Sequence, residues 1–367
     1  MRLERIELRE VRLRLLHPFE TSFGITQDRR ILLVTAHMEG LEGIGEVTAG
    51  ELPSYSEETT DTAWLMLSEV IASRVLGRDL THPQDLEELL SPIRGHQMAK
   101  AGLETAVWDA FARAEGRSLA DYLGNSRISV PVGVSVGIRP SPERLAVDVR
   151  ALANLGYRRV KLKIAPGRDL DFVRAARKAL PDTPLTADAN SAYRLTDAEH
   201  LRRLDEFGLQ YLEQPLAHDD LIDHGALARS ISTPICLDES IHHVDDVRKA
   251  HQIGAAKVIN LKLGRVGGHA SALRIANACR QYGLDLWCGG MLESGIGRAH
   301  NLAMQSHAAF TLASDTAPSS NYWDEDIIEP EIVMTDGMVT VPTGPGIGVN
   351  PRRDLIETLT TRVEVLG

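Results

Sequence analysis

Five short apolar runs in this 367-residue chain end in residues able to do chemistry. They are VKLKI with Lys161 and Lys163, LTADAN with Asp188 and Asn190, YLEQP with Glu213, ICLDES with Asp238, Glu239 and Ser240, and VINLKLG with Lys262. Successive runs lie about 25 residues apart, the length of one strand, one helix and two turns in a β/α repeat. Asp188, Glu213 and Asp238 each end a run, and three carboxylates without a histidine or cysteine partner suit a hard divalent cation, Mg²⁺ or Mn²⁺. Without a cation the three would repel, and at least one would have to hold a proton. Asn190 and Ser240 lie two residues beyond Asp188 and Asp238, so an extended chain puts them on the same side, as support or as substrate contacts. Glu239 should point the other way, as an ion-pair partner behind the ligands.

Lys161 and Lys163 alternate with Leu162 and Ile164, so both ammonium groups should face inward together. Like-charge repulsion and burial both lower the pKa of such a lysine, which is one route to a base near neutral pH. Lys262, on the sixth run, should stand across the mouth from them. A cation held by the three acids would bind a substrate carboxylate and stabilise the charge formed when the adjacent carbon loses a proton. A lysine on one side removes that proton; a lysine on the other returns one, or holds the anion electrostatically. The first outcome is racemisation or epimerisation, and the second, with a leaving hydroxyl, is dehydration. A Schiff-base aldolase would also use a strand-six lysine, but it gives no role to three adjacent acids.

These residues need a frame that brings strand ends together. From Val130 apolar runs alternate with helical periodicity, which predicts eight parallel strands near 131–136, 159–164, 184–188, 210–213, 234–238, 257–262, 284–289 and 310–314. Such a series closes into a (β/α)8 barrel, whose catalytic groups sit at the C-terminal ends of the strands. Ahead of it, IELREVRLRLL, RILLVTAHMEG and GIGEV alternate as an antiparallel meander, and residues 57–124 carry helical spacing. The fold class expected is α/β: residues 1–127 an α+β capping domain, 128–320 the barrel, and 321–367 a tail with a DG turn that returns to the N-terminal sheet. Between the first two strands, HPFETSFGITQD reads as a loop whose Phe19 and Phe23 could cover a substrate.

The KLK, DAN, EQP, DES and NLK strand ends, in this order and spacing, resemble the enolase superfamily, muconate-cycloisomerase-like branch. FETSFG, GHQMAKAGLETAVWD and GGMLESGIGRAHN are similar to segments of its o-succinylbenzoate synthases and N-acylamino-acid racemases. The resemblance spans essentially the whole chain. It implies that Asp188, Glu213 and Asp238 hold Mg²⁺, that Lys163 and Lys262 are the acid/base pair, and that Lys161 assists on the substrate carboxylate. It also implies that Phe19, Phe23 and Tyr55 form a lid, with Ser135, Gly290 and Met291 as pocket contacts, and that the protein is a homo-oligomer. Arg265 resembles an arginine of chains that racemise N-succinylamino acids, and could equally be an interstrand ion pair. Two departures narrow the group: DLWCGG has no histidine for a mandelate-racemase-type base, and SDTA offers only Asp315 where dipeptide epimerases carry two aspartates.

Composition agrees with a small-molecule enzyme. The net charge of −11 and the lack of a basic block argue against nucleic acid. No apolar run follows a basic start and none is long enough to span a bilayer, so neither a signal peptide nor a membrane helix is expected. Cys236, Cys279 and Cys288 lack metal-type spacing and read as reduced thiols of a cytoplasmic protein.

Overall fold

Alternating aliphatic and charged residues form three antiparallel strands, β1 (Leu3–Thr21), β2 (Gly24–Met38) and β3 (Leu41–Val47), in the computed structural model, which describes residues 1–367. One face, with Ile6, Leu8, Leu32 and Val34, buries against the helices that follow. The other, with Val11, Leu13, Ile31 and Leu33, joins the core of the barrel. The expected loop at residues 17–28 is instead a continuation of β1 and β2 into a hairpin arm. Phe19 pairs with Thr26 and Thr21 with Gly24 around a two-residue turn, Ser22 and Phe23. The register shifts between Arg14 and Phe19, and such an irregularity re-aims a strand pair. Here the arm meets the barrel: Ile138 N–H donates to Glu20 O at 2.9 Å, and Arg168 pairs with Glu20 at 3.0 Å.

Helical turns run from Thr60 to Val75, then at Asp85–Leu90, α1 (Gln97–Ala114) and Leu119–Tyr122. The central stretch of α1 is buried on every side, because it lies between β2–β3 and the barrel rather than on a surface. Small residues permit that approach: a Cβ on Gly43 would lie 2.0 Å from Ala106 O.

Seven parallel strands follow, hydrogen-bonded in chain order: β4 (Val134–Val136), β5 (Val160–Lys163), β6 (Leu185–Asp188), β7 (Leu212–Glu213), β8 (Ile235–Leu237), β9 (Val258–Leu261) and β10 (Asp285–Cys288). The eighth expected strand is irregular, yet its segment still closes the (β/α)8 barrel. Asp315 N–H donates to Cys288 O at 2.9 Å on one side, and Gly133 N–H donates to Ser314 O at 2.8 Å on the other. Its hydroxyls explain the irregularity: Ser314 Oγ and Thr311 Oγ1 accept the Cys288 and Leu286 amides of β10 at 2.8 and 3.2 Å, so side chains carry bonds that a regular ladder gives to carbonyls.

Two capping-domain carboxylates seat that domain on the barrel. Glu104 accepts the His269 and Ala270 amides at 2.8 and 2.9 Å at the start of α2 (His269–Tyr282). Glu46 accepts the Ser294 and Gly297 amides at 3.2 and 3.0 Å at the start of α3 (Gly295–Gln305). Both complete helix N-termini whose amides have no intrahelical acceptor. In the tail, Asp336 and Gly337 turn a short hairpin that pairs with Ser129–Pro131 below the barrel, not with the antiparallel sheet. Only the last strand, β11 (Thr360–Leu366), returns to β1, with Ile6 opposite Leu366. No helix is long and apolar enough to cross a membrane.

Candidate active site

Strand register assembles the mouth. Lys163 lies beside Asp188 across β5 and β6, and Asp188 beside Glu213 across β6 and β7. Asp238 and Lys262 each follow the last residue of their strand, β8 and β9. Leu162, between the two β5 lysines, packs outward into the barrel core, so the inward alternation of Lys161 and Lys163 is realised. All three acids are fully buried.

Each lysine has its own place. Lys163 Nζ donates to Asp188 Oδ2 at 2.6 Å and to Asn190 Oδ1 at 2.7 Å. Lys262 Nζ lies 2.8 Å from Asp238 Oδ2, at the far end of the acid row. Lys161 Nζ sits deeper, 3.4 Å from Asp188, 3.2 Å from Glu213 and 3.1 Å from Asp315, and 4.5 Å from the centre of the Trp287 indole. Because ammonium groups interleave the carboxylates, no three acidic side chains converge as metal ligands in the arrangement seen. The donor set nevertheless fits a divalent cation. Glu213 Oε2 and Asp238 Oδ2 are buried without a directed hydrogen bond, and burial, with Asp188 adding like charge, pushes the Glu213 carboxyl up to about 8. That is the strain a bound cation relieves.

The electrostatics of the lysines differ from the expectation that neighbouring ammonium groups depress one another. Burial lowers Lys161, but Asp315, Glu213 and Asp188 outweigh it and hold its pKa well above the ordinary lysine value. Lys262 is raised in the same way, burial being outweighed chiefly by Asp238. Asp238 in turn is held below the usual carboxylate range, because Lys262 and Arg265 outweigh its burial.

The geometry gives several of the expected contact residues partners within the protein. Arg265 forms the interstrand ion pair, the alternative to a substrate contact: Nε donates to Ile241 O at 2.7 Å, Nη1 to the Tyr55 hydroxyl at 2.9 Å and to Asp238, and Nη2 to Asn260 O. Four of its five donors are used inside the protein. Glu239 is not an ion-pair partner; the Asn190 amide donates to its Oε1 at 2.8 Å, and its Oε2 is unpartnered. Met291 directs its N–H to Glu293 at 2.8 Å and, like Tyr55, packs against the capping-domain core. Gly290 lies against the Asp315 backbone, where a Cβ would stand 3.0 Å from its carbonyl oxygen. Ser135 Oγ donates to Asp315 at 2.7 Å, and Ser240 Oγ accepts from Gln214 at 2.7 Å. Of the lid residues, Tyr55 reaches the acids, Phe19 packs on the barrel core, and Phe23 is exposed at the arm's tip. Beside Phe23, Ser22 Oγ donates to Asn190 O at 3.3 Å, which sets the tip over the mouth.

Four participants escaped the sequence reading, and a fifth, Asp315, appeared there only as a departure from the dipeptide epimerases. Asp315 and Arg159 form a buried pair under Lys161, and Trp287 stacks beneath them. Asn260 donates to Glu213 at 2.7 Å, while Gln214 Oε1 accepts the Asp238 amide at 2.9 Å. Arg159 shares the parity of Lys161 and Lys163, and Asn260 that of Lys262, so the same two-residue alternation carried far enough would have found both.

A family model for the mandelate racemase / muconate lactonizing enzyme N-terminal domain matches residues 5–124, and one described as enolase C-terminal domain-like matches residues 144–355. The chain belongs to the enolase superfamily. Among enolase-superfamily relatives, an N-succinylamino acid racemase of Thermus thermophilus is 50% identical over 360 residues, covering 98% of either chain. An o-succinylbenzoate synthase of Geobacillus kaustophilus is 48% identical over 359 residues, covering 98% of this chain and 96% of the relative. The crystal structure of an enolase-superfamily member from Listeria innocua superposes with a TM-score of 0.97 at 42% identity, covering 100% of this chain and 99% of that one.

Proposed function

We propose that this chain is a divalent-cation-dependent enzyme that removes the proton α to a carboxylate and racemises N-acylamino acids, N-succinylamino acids in particular. The observation that carries this reading is the placement of two lysines, Lys163 on Asp188 and Lys262 on Asp238, at opposite ends of one row of buried acids. A cation held by Asp188, Glu213 and Asp238, Mg²⁺ with Mn²⁺ or another divalent ion as a substitute, would offset those acids and supply positive charge to the substrate carboxylate.

The chain's own residues then do the proton work. Lys163 in its neutral form takes the α-proton from one face, while Lys262 as an ammonium returns a proton to the other; the reverse reaction exchanges the two roles. Lys161, set between them on the Trp287 face, adds fixed positive charge beside the substrate carboxylate. The hairpin arm and Tyr55 exclude water above it. The substrate is a small carboxylate, and three buried, unpaired cysteines suit a reducing cytoplasm.

A second reading is favoured by the synthase relatives. Dehydration to o-succinylbenzoate begins with the same abstraction, after which the Lys163 ammonium gives that proton to the hydroxyl as its C–O bond breaks, water departs, and Lys262 serves as a stationary cation. Both activities are tested together by offering N-succinyl-phenylalanine in D₂O with Mg²⁺ and, in parallel, the cyclohexadiene precursor of o-succinylbenzoate. α-Deuterium incorporation and inversion are expected, and a roughly thousandfold preference in kcat/KM would assign the main activity. Absence of exchange and of dehydration with every divalent cation tried would sink the reading.

A further inference from the structure

Asp315 is tied on three sides inside the barrel. Arg159 Nη2 donates to its Oδ1, Ser135 Oγ donates to its Oδ2 at 2.7 Å, and Lys161 Nζ stands 3.1 Å from the same oxygen. Its own N–H is fixed to Cys288 O at 2.9 Å. Arg159 is only 1% exposed, lies 4.8 Å over the Trp287 ring, and fits because residue 133 is glycine, where a Cβ would sit 2.7 Å from its Nε. The Lys161 ammonium therefore rests on the same indole between two unlike sets of acids, Asp315 on one side and Asp188 with Glu213 on the other.

Those two sets differ in what they are free to bind. Both oxygens of Asp315 and both of Asp188 accept from protein donors, whereas Glu213 Oε2 has no directed hydrogen bond and only the Lys161 ammonium near it, at 3.2 Å. We propose that Asp315, clamped by Arg159 and Ser135, is a positioning residue that shares Lys161 with Asp188 and Glu213 and so weakens its hold on the two acids that a divalent cation would use. The inference rests on reading those acids as the cation site. A buried ammonium needs a counter-ion; deprived of Asp315, Lys161 retains only Asp188 and Glu213 and competes with the cation for them.

A double-mutant cycle on Mg²⁺ binding, followed by calorimetry on the full chain, separates this role from a merely structural one. Asp315→Asn is expected to weaken Mg²⁺ about tenfold, a coupling of ordinary size for residues in one network. Lys161→Met alone should not weaken it, and Lys161→Met added to Asp315→Asn should restore wild-type affinity. If Asp315→Asn binds Mg²⁺ like the wild type, or the double variant stays as weak as the single, Asp315 does not act through Lys161 and the proposal falls. Asp315→Asn leaves Arg159 buried without its partner, so the cycle is repeated on Arg159→Met/Asp315→Asn, which removes both charges. A wild-type chain that binds no divalent cation would overturn the cation site itself, and this role with it; normal wild-type binding with an unaffected Asp315→Asn overturns the positioning role alone.

Discussion

The hydroxyl of Tyr55 donates to Oδ1 of Asp238 at 2.9 Å, tying the capping domain directly to an acid of the barrel mouth. The Tyr55 hydroxyl oxygen accepts from Lys262 at 3.1 Å and from Arg265 at 2.9 Å, and the Lys262 ammonium lies 4.3 Å from the centre of its ring. Burial pushes the phenol above its ordinary pKa, so it remains a donor at neutral pH. Tyr55 is thus both a cover for the site and part of its charge arrangement.

Tyr55→Phe keeps the ring and removes that shared hydroxyl. Hydrogen bonds to charged groups contribute about 1.5–3 kcal/mol, so kcat/KM on an N-succinylamino acid should fall roughly tenfold to a hundredfold. Steady-state kinetics check this, with thermal unfolding as a control for the fold. A variant as efficient as the wild type would show that the capping contact is idle.

Lys163→Ala and Lys262→Ala should each stop racemisation, by at least about a hundredfold, while circular dichroism stays native. The two losses should be stereochemically complementary. Proton NMR in D₂O on each enantiomer should find exchange abolished on one face in the first variant and on the other face in the second. Equal exchange of both enantiomers in either variant removes that lysine from its role.

Gly137 marks where the arm touches the barrel, since a Cβ there would stand 2.9 Å from both N and O of Glu20. Gly137→Ala must push the arm outward. KM should rise while Mg²⁺ affinity and the unfolding temperature hold, because the acids lie on other strands. A KM that stays put would mean the arm does not cover the substrate.

The carboxylates that seat the capping domain make stability depend on pH. Burial pushes both Glu46 and Glu104 up to about 7. A carboxyl raised on folding binds its proton more tightly in the native state, so its contribution is full below the ordinary carboxylate range and is lost as pH rises toward 7. Denaturant midpoints should therefore decline from about pH 5 to pH 7, by up to about 1.4 kcal/mol per pH unit for each group. In Glu104→Gln the decline should be shallower; an unchanged slope would exonerate Glu104.

The mouth was legible in the sequence because two periods coincide there. A two-residue alternation aims Lys161 and Lys163 together, and the β/α repeat brings Asp188, Glu213 and Asp238 to adjacent strand ends. Asp315 was named but given no role, because it lies just past the strand expected at 310–314, in a segment whose hydroxyls replace part of the ladder. The hairpin arm read as a loop because Ser22 and Phe23 carry no Asn-Gly or Asp-Gly turn signal. Arg265 was ambiguous because only packing shows where five donors go. The lysine pKa values were misjudged for a related reason: alternation counts neighbours along one strand, whereas Lys161 is governed by acids on three others.

The pairing of β11 with β1 has a consequence for how the chain is made. β1 leaves the ribosome well before its edge partner, the seven residues Thr360–Leu366. Until then β1 offers a bare, alternating edge, the kind of template that recruits strands from other molecules. The barrel mouth contains no residue of β11, so trimming that strand spares the chemistry. Its loss registers instead as stickiness in the newborn protein, along the bared edge of β1.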